Sequence, residues 1–386
     1  MTKKEISEIK KQFSNENCTI TRICGCYVDG DKQKKTEFKE AFLSLPEEEI
    51  FKYYEIFKKT LSGTPGRNLL TLGFPMQQEA EGGTQEFLYR LRAGRLTDEV
   101  ILAEFYDKVI ESYDYVGNYL ILIIHAAYDI PGKASDGTEM DDASDEVYEY
   151  LLCSICPVNL SKPGLSYNSE ENAFHNRIQD WIVELPETGF LFPAFHERST
   201  DIHSTLYYSK NPEAPHESFA ELFLGCTLPM SAGGQKESFQ AIIADTLGED
   251  CELEVIQNIH ERLNEMIEEH KDFPEPLALS KDEVKSLLSE SGVEEEKLEN
   301  FDRAFSETVV DEKAELLAIN IANTRTFEVK TPDVVIRVNP DCAHLVETRL
   351  VDGRRCLVIE MGENVEVNGI AVHGGAGTYT EEDAGA

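Results

Sequence analysis

Residues 148–158, with the sequence YEYLLCSICPV, form a short run of apolar and aromatic side chains that is typical of a buried strand. Three similar runs follow it, each bounded by turn-forming residues, and one precedes it near the start of the chain. Together they predict an antiparallel sheet of about five strands. The four other runs are 19–29 (TITRICGCYVD), 178–184 (IQDWIVE), 189–195 (GFLFPAF) and 203–209 (HSTLYYS).

Helical periodicity lies on both sides of this region. Residues 98–127 predict one long helix, capped by Asp98, and residues 129–146 read as a polar, acidic loop. Ser280 and Glu283 form a capping box that opens another helix. Asp352-Gly353 marks a hairpin turn near the C-terminus. Further helices are predicted at 1–13, 38–61, 85–92 and within 235–310.

These patterns predict an α+β protein. Its parts are a mixed N-terminal domain with an antiparallel sheet flanked by helices, an acidic helical segment and a small β-rich C-terminal part. The expected boundaries are 1–212, 213–316 and 317–374, followed by a disordered tail at 375–386.

The chain of 386 residues carries a formal net charge of -37. This charge is uneven, since residues 211–320 hold 27 acidic and only 8 basic side chains. Such a balance argues against direct binding of nucleic acid, which needs clustered Lys and Arg, and against docking on anionic membranes. It favours a protein partner with a basic surface.

The start of the chain, MTKKEISEIKKQF, lacks the apolar core of a signal peptide. The longest apolar stretch, residues 119–128, is far shorter than the roughly 20 residues that a membrane helix needs. Nine scattered cysteines are best interpreted as reduced thiols. The sequence therefore predicts a cytoplasmic protein.

Four segments resemble an uncharacterised bacterial family, domain of unknown function 4317. They are 19–29, 41–48 (AFLSLPEE), 140–158 (MDDASDEVYEYLLCSICPV) and 189–210 (GFLFPAFHERSTDIHSTLYYSK). The resemblance covers nearly the whole chain and implies a bacterial, cytoplasmic origin. The family carries no assigned activity, so it implies no catalytic residues.

Two cysteine pairs are candidates for a structural zinc site. Cys24-x-Cys26 and Cys153-x-x-Cys156 could supply four thiolates, which is a sufficient tetrahedral shell for Zn²⁺. However, Cys153 and Cys156 would point to opposite faces of a strand, because their offset of three is odd. The alternative is that all four thiols are buried as small apolar groups.

The segment HERSTDIH, residues 196–203, is the candidate catalytic loop. His203 could act as a base, Asp201 could orient it, and Arg198 could hold an anion. His196 lies in the same segment. The alternative is a loop held by pairing between Arg198 and Asp201, with turn hydrogen bonds from Ser199 and Thr200.

The acidic loop offers a third candidate, for Ca²⁺ or Mg²⁺. Its spacing does not match the EF-hand pattern, so a solvated helix N-terminus is the alternative. The clustered carboxylates are Asp136, Glu139, Asp141, Asp142, Asp145 and Glu146.

The sequence contains no P-loop, no dinucleotide-binding glycine motif after a strand, no H-E-x-x-H and no G-x-S-x-G. The leading hypothesis is therefore a non-enzymatic binding or regulatory protein. One alternative is a hydrolase of a small phosphorylated or nucleotide ligand that uses Arg198, Asp201 and His203. Another is an acidic decoy of a nucleic-acid-binding protein.

Overall fold

The structure is a computed structural model that describes residues 1–133, 139–248, 251–309, 314–360, 365–367 and 370–372. For the described residues within 132–145, only the backbone is described. The chain forms two compact units. Unit one comprises Met1–Glu237 and His270–Leu277, and unit two comprises Ser238–Glu269 and Ala278–Ala386. Unit two thus combines part of the acidic helical segment with the β-rich C-terminal part.

The helices, in chain order, are α1 (Lys3–Lys11), α2 (Glu47–Thr60), α3 (Met76–Glu79), α4 (Thr84–Ala93), α5 (Glu99–Ser112), α6 (Ala232–Leu247), α7 (Leu253–His270), α8 (Lys281–Glu290), α9 (Glu295–Thr308) and α10 (Ala318–Ile321). Short 3₁₀ turns cover Phe42–Ser44 and Pro340–Leu345, and a π-helical turn covers Phe219–Phe223.

The strands of unit one are β1 (Ile20–Val28), β2 (Lys34–Ala41), β3 (Leu69–Gly73), β4 (Asn118–Lys133), β5 (Glu139–Leu160), β6 (Leu165–Asn168), β7 (Ala173–Asn176), β8 (Trp181–Val183), β9 (Thr188–Phe192), β10 (Ala194–His196), β11 (Ser199–Asp201) and β12 (Ser204–Ser209). Those that follow are β13 (Ala278–Leu279), β14 (Leu316–Leu317), β15 (Phe327–Lys330), β16 (Val335–Val338), β17 (Val346–Val351), β18 (Arg354–Ile359), β19 (Val365–Val367) and β20 (Ile370–Val372).

Unit one is built on an eight-stranded antiparallel sheet in the order β2-β1-β4-β5-β9-β12-β3, with β8 paired to the end of β5. Side chains alternate between two cores because successive strand residues point to opposite faces. Helices α4 and α5 and the π-helical turn cover one face. Helices α1 and α2 cover the other. The α+β class and the helix-flanked antiparallel sheet are confirmed.

The prediction of one helix over 98–127 is wrong in its second half. Helix α5 ends at Ser112, Gly117 turns the chain with a φ of 134°, and β4 begins at Asn118. Within β4, Ile121 and Ile123 enter one core while Leu122 and Ile124 enter the other. A strand that is buried on both faces shows no polar alternation, so its pattern cannot be distinguished from that of a buried helix.

The segment 129–146 is also mostly strand rather than loop. Strands β4 and β5 continue into it as one long hairpin, with Asp129 opposite Val147 and Lys133 opposite Glu139. Pairing with a neighbouring strand satisfies the backbone N–H and C=O groups of this segment. A composition rich in Asp, Ser and Gly does not reveal that pairing.

Unit two is built from helices and β-hairpins. The predicted capping box of α8 is present, with the Ser280 hydroxyl accepting from the backbone N–H of Glu283. The predicted Asp352-Gly353 turn joins β17 to β18, and both residues have positive φ, as a tight hairpin turn requires. Among the described residues of the whole chain, no helix has the length and apolar character needed to cross a membrane.

Candidate functional site

The structure does not bring the four thiols of the zinc hypothesis together. Cys24, Cys26 and Cys153 lie in the core beneath α4 and α5, whereas Cys156 lies in the core on the opposite face. Cys24 and Cys153 each pair with Ile123, from opposite sides, so two strand spacings of roughly 10 Å in total separate them. A Zn–S bond of about 2.3 Å cannot bridge that gap.

Burial of these thiols fits the alternative interpretation. Cys24, Cys26, Cys153 and Cys156 are fully inaccessible to solvent. Burial raises the pKa of Cys24 and of Cys26 to about 12, so both stay neutral near pH 7. Over the described part of the chain, no three His, Cys, Asp or Glu side chains are grouped to hold a metal ion.

Arg198 lies at the tip of the hairpin formed by β10 and β11. Glu197 and Arg198 both adopt positive φ there, in a two-residue turn. The Arg198 guanidinium donates to Glu8 of α1 at 3.2 Å and to the Pro131 carbonyl at 3.0 Å. The Glu197 backbone N–H donates to Glu5 of α1 at 2.7 Å. This hairpin therefore binds α1 through two carboxylates, and the anion that Arg198 holds is a side chain of the same protein.

His203 and Asp201 are close in the chain but do not form a dyad through their side chains. The Asp201 carboxylate accepts from the backbone N–H of His203 at 3.0 Å, while the His203 ring hydrogen-bonds to Glu79 at 2.8 Å. The hydrogen bond to Glu79 raises the pKa of His203, which favours the protonated ring over a base. His196 is exposed on the same hairpin.

Most of the acidic cluster lies outside the side chains that the structure describes. Those of Asp136, Glu139, Asp141, Asp142 and Asp145 all fall in this gap, and Glu146 is described as exposed. The metal hypothesis for this segment stays a prediction.

Sequence reasoning missed a groove beside α2. It has a volume of about 1060 Å³ and lies between α2 and the segment that leads from β8 to Leu185. Its apolar lining comes from Tyr53, Ile56, Leu120, Ile182, Val183 and Leu185. The run 178–184 predicts a core strand from its apolar residues, yet all three residues of β8 are exposed. The available signal was that the apolar part of this run, Trp181–Val183, is only three residues long and is flanked by the charged residues Asp180 and Glu184.

Exposed apolar side chains are also present outside the groove lining. Trp181 is 58% exposed, and the β6–β7 hairpin presents Tyr167 and Phe174 to solvent. An apolar groove on a folded protein is a candidate interaction site.

The fold and this surface together define an α+β protein whose antiparallel sheet is covered by helices on both faces and carries an apolar groove at one end. The chain belongs to the family described as domain of unknown function (DUF4317), whose model matches residues 1–370. Comparisons with curated proteins and with solved structures gave no match.

Proposed function

We propose that this protein is a cytoplasmic binding protein that docks a helix of a partner protein in the groove beside α2. The observation that carries the proposal is the unfilled apolar lining of this groove, in which Ile182 and Leu185 are each 46% exposed. Burying such side chains against a partner contributes about 25 cal/mol per Å² of apolar surface. The nine free thiols are compatible with a reducing compartment.

The dimensions of the groove favour a helix as the occupant. Helix α2, which has 14 residues and a length of about 21 Å, forms one wall with residues between Glu48 and Lys59. The ends of β4 and β8 form the opposite wall. An amphipathic helix of about four turns can lie alongside α2 and place its apolar stripe on Leu120 and Ile182.

The charges at the rim favour a basic helix. Glu48 and Glu49, in the first turn of α2, have no cationic partner among the described residues. Of the three lysines at the rim, Lys52 pairs with Glu55 and Lys210 with Glu187, whereas Lys59 has no carboxylate partner among the described residues. Lys or Arg residues that flank the apolar stripe of the partner would complement the unpaired carboxylates.

The single tryptophan of the sequence, Trp181, provides a direct measurement. A synthetic helix of leucine and lysine, matched in length to α2, is titrated into the full chain while Trp181 emission is recorded. We expect a saturable blue shift at a 1:1 ratio, because the peptide excludes water from β8. A leucine and glutamate helix of equal length should give no shift.

The Leu185→Asp variant should abolish this shift. Val100→Asp, which also replaces an exposed apolar side chain by aspartate, at a residue of α5 that is 78% exposed, should leave it intact. Circular dichroism would establish that both variants fold. The proposal is overturned if both peptides shift Trp181 equally, or if neither does. It is also overturned if the groove is covered by a second copy, seen as dimers that Leu185→Asp dissociates.

A further inference from the structure

Unit one contains a cleft of about 610 Å³, which is within the size range of sites for small molecules. Helix α1 and its C-cap residue Gln12 form one wall of this cleft. Residues 271–274, which follow directly after α7, form another, and Tyr128 of β4 completes the lining. All of these residues belong to unit one, so the cleft is a feature of that unit alone.

The wall formed by α1 carries positive charge that the described residues do not neutralise. Glu8 is the one carboxylate on this wall, and it already accepts from Arg198 and from Tyr128. The other wall contributes one charge of each sign, from Lys271 and Asp272. Three lysines of α1 line the cleft without a carboxylate partner among the described residues, namely Lys3, Lys4 and Lys11. The cleft is therefore basic on a chain whose net charge is -37, and it favours an anionic ligand.

A second observation concerns a buried amide in the same cleft. The Gln12 side chain lines the cleft and is only 9% exposed. Its Nε2 lies 3.5 Å from the Glu8 carbonyl oxygen, at the outer limit of a hydrogen bond, and its Oε1 accepts no hydrogen bond from the described residues. Oε1 retains accessible surface, so a ligand in the cleft can reach it. This oxygen can accept from a hydroxyl or N–H group of the ligand.

The wall opposite α1 presents an aromatic ring. Phe273 lines the cleft and is 62% exposed. The His270 ring stacks on one face of it, with 4.6 Å between ring centroids and 15° between the planes. The other face is left for a flat ligand group. Nucleobases stack on aromatic side chains of this kind, and every base has a π-face to offer.

We propose that this cleft binds a nucleoside diphosphate. The lysines of α1 would hold the phosphates through charge-assisted hydrogen bonds, the base would stack on Phe273, and a sugar hydroxyl would donate to Gln12. Lys4 and Lys11 are two turns apart on α1, about 10 Å, which suits two linked phosphates better than one.

The test is calorimetric titration of the full chain at low ionic strength and without Mg²⁺, with ADP, GDP, CDP and UDP as separate probes. We expect at least one of them to bind at one site per chain. Inorganic pyrophosphate should bind about tenfold more weakly than that nucleotide, because it has no base to stack on Phe273. The corresponding nucleoside should give no measurable heat, because it has no phosphate for the lysines.

Two variants separate the contacts to phosphate from the contact to the base. Lys4→Gln should weaken the binding of both the nucleotide and pyrophosphate by about tenfold, through loss of one charge-assisted hydrogen bond. Phe273→Leu should weaken the nucleotide by about tenfold and leave pyrophosphate unchanged, because it removes the ring and keeps an apolar side chain. Lys162→Gln, the same charge change at an exposed lysine outside the cleft, should leave both affinities unchanged.

Both Lys4 and Phe273 are exposed, so neither variant disturbs the core, and circular dichroism would establish that each one folds. The proposal is overturned if none of the four nucleotides binds at one site per chain, or if pyrophosphate binds as tightly as they do. Equal losses of affinity in Lys4→Gln and Lys162→Gln would also overturn it, since general attraction to lysine would then explain the binding.

Discussion

At the scale of single residues, Gly189 allows α2 to approach the sheet closely. A Cβ at this position would lie 2.3 Å from the carbonyl oxygen of Cys153 and 2.7 Å from the Thr60 methyl group on α2. Beside it, the Thr60 and Ser154 hydroxyls form a buried hydrogen bond of 2.6 Å. The close packing of α2 on the sheet, and hence the position of one wall of the groove, depends on the absence of a side chain at Gly189.

Gly189→Ala should therefore lower the free energy of unfolding by about 1–3 kcal/mol, because backbone and helix must move apart. Gly73→Ala is the matched control, since a Cβ there would meet nothing within 4 Å. Urea unfolding of the two variants measures the difference. Equal stability would contradict the close packing described at Gly189.

A second residue-scale prediction concerns His125, which is fully buried in β4 with its Nδ1 2.7 Å from the Thr21 hydroxyl. Burial lowers the pKa of His125 to about 4, whereas the unfolded chain protonates near 6.5. The stability that the neutral ring contributes is therefore complete above pH 6.5 and is lost as the pH falls towards 4.

Lowering the pH from 7 to 5 should therefore reduce the free energy of unfolding by about 2 kcal/mol through protonation of His125 in the unfolded chain. His125→Gln should remove that part of the pH dependence and leave the part that arises from carboxylates. Urea unfolding of both proteins at the two pH values makes the comparison. The assignment fails if the variant and the parent lose the same amount.

At the scale of elements, α1 is attached to the rest of unit one by carboxylates as well as by its buried Ile6 and Ile9. Glu5 serves twice, in the capping box with Thr2 and as acceptor for the β10–β11 hairpin. Glu8 binds Arg198 and also accepts from Tyr128 at 2.9 Å. Arg198, the arginine of the candidate catalytic loop, thus helps to attach α1 to unit one.

Arg198→Gln should loosen α1 locally. We expect amide exchange across Lys3–Lys11 to quicken by about fivefold, equivalent to about 1 kcal/mol, with exchange in β5 unchanged. Hydrogen exchange with mass spectrometry makes the measurement. Lys35→Gln, which removes the ion pair with Asp29 elsewhere in unit one, is the control and should leave α1 protected.

The elements differ in how far their sequence predicts them. The Ser280 cap and the Asp352-Gly353 turn are local, and both are present because a few adjacent residues determine them. Strand β4 depends on partners distant in the chain, and its local pattern fits a buried helix as well as a buried strand. The site residues also depend on distant partners. His203 is paired with Glu79, 124 positions away, and the segment HERSTDIH alone does not predict this pairing.

At the scale of the whole molecule, the net charge of -37 opposes compaction through repulsion between carboxylates. Added salt screens this repulsion, since the Debye length falls from about 30 Å at 0.01 M to about 8 Å at 0.15 M. We expect the melting temperature to rise by a few degrees over that range. Differential scanning calorimetry in NaCl tests this, and a fall would mean that attractive ion pairs dominate.

The two units are interleaved along the chain, which crosses from one to the other after Glu237, after Glu269 and after Leu277. During synthesis, unit one is complete only once Leu277 has left the ribosome. By then α6 and α7 have emerged completely, while β15, β17 and the turn at Pro340–Leu345 remain untranslated. Gln257 of α7 therefore lacks its two hydrogen-bond acceptors, the carbonyls of Ala343 and Val346, during this interval. A ribosome that stalls then carries a complete unit one and an incomplete unit two.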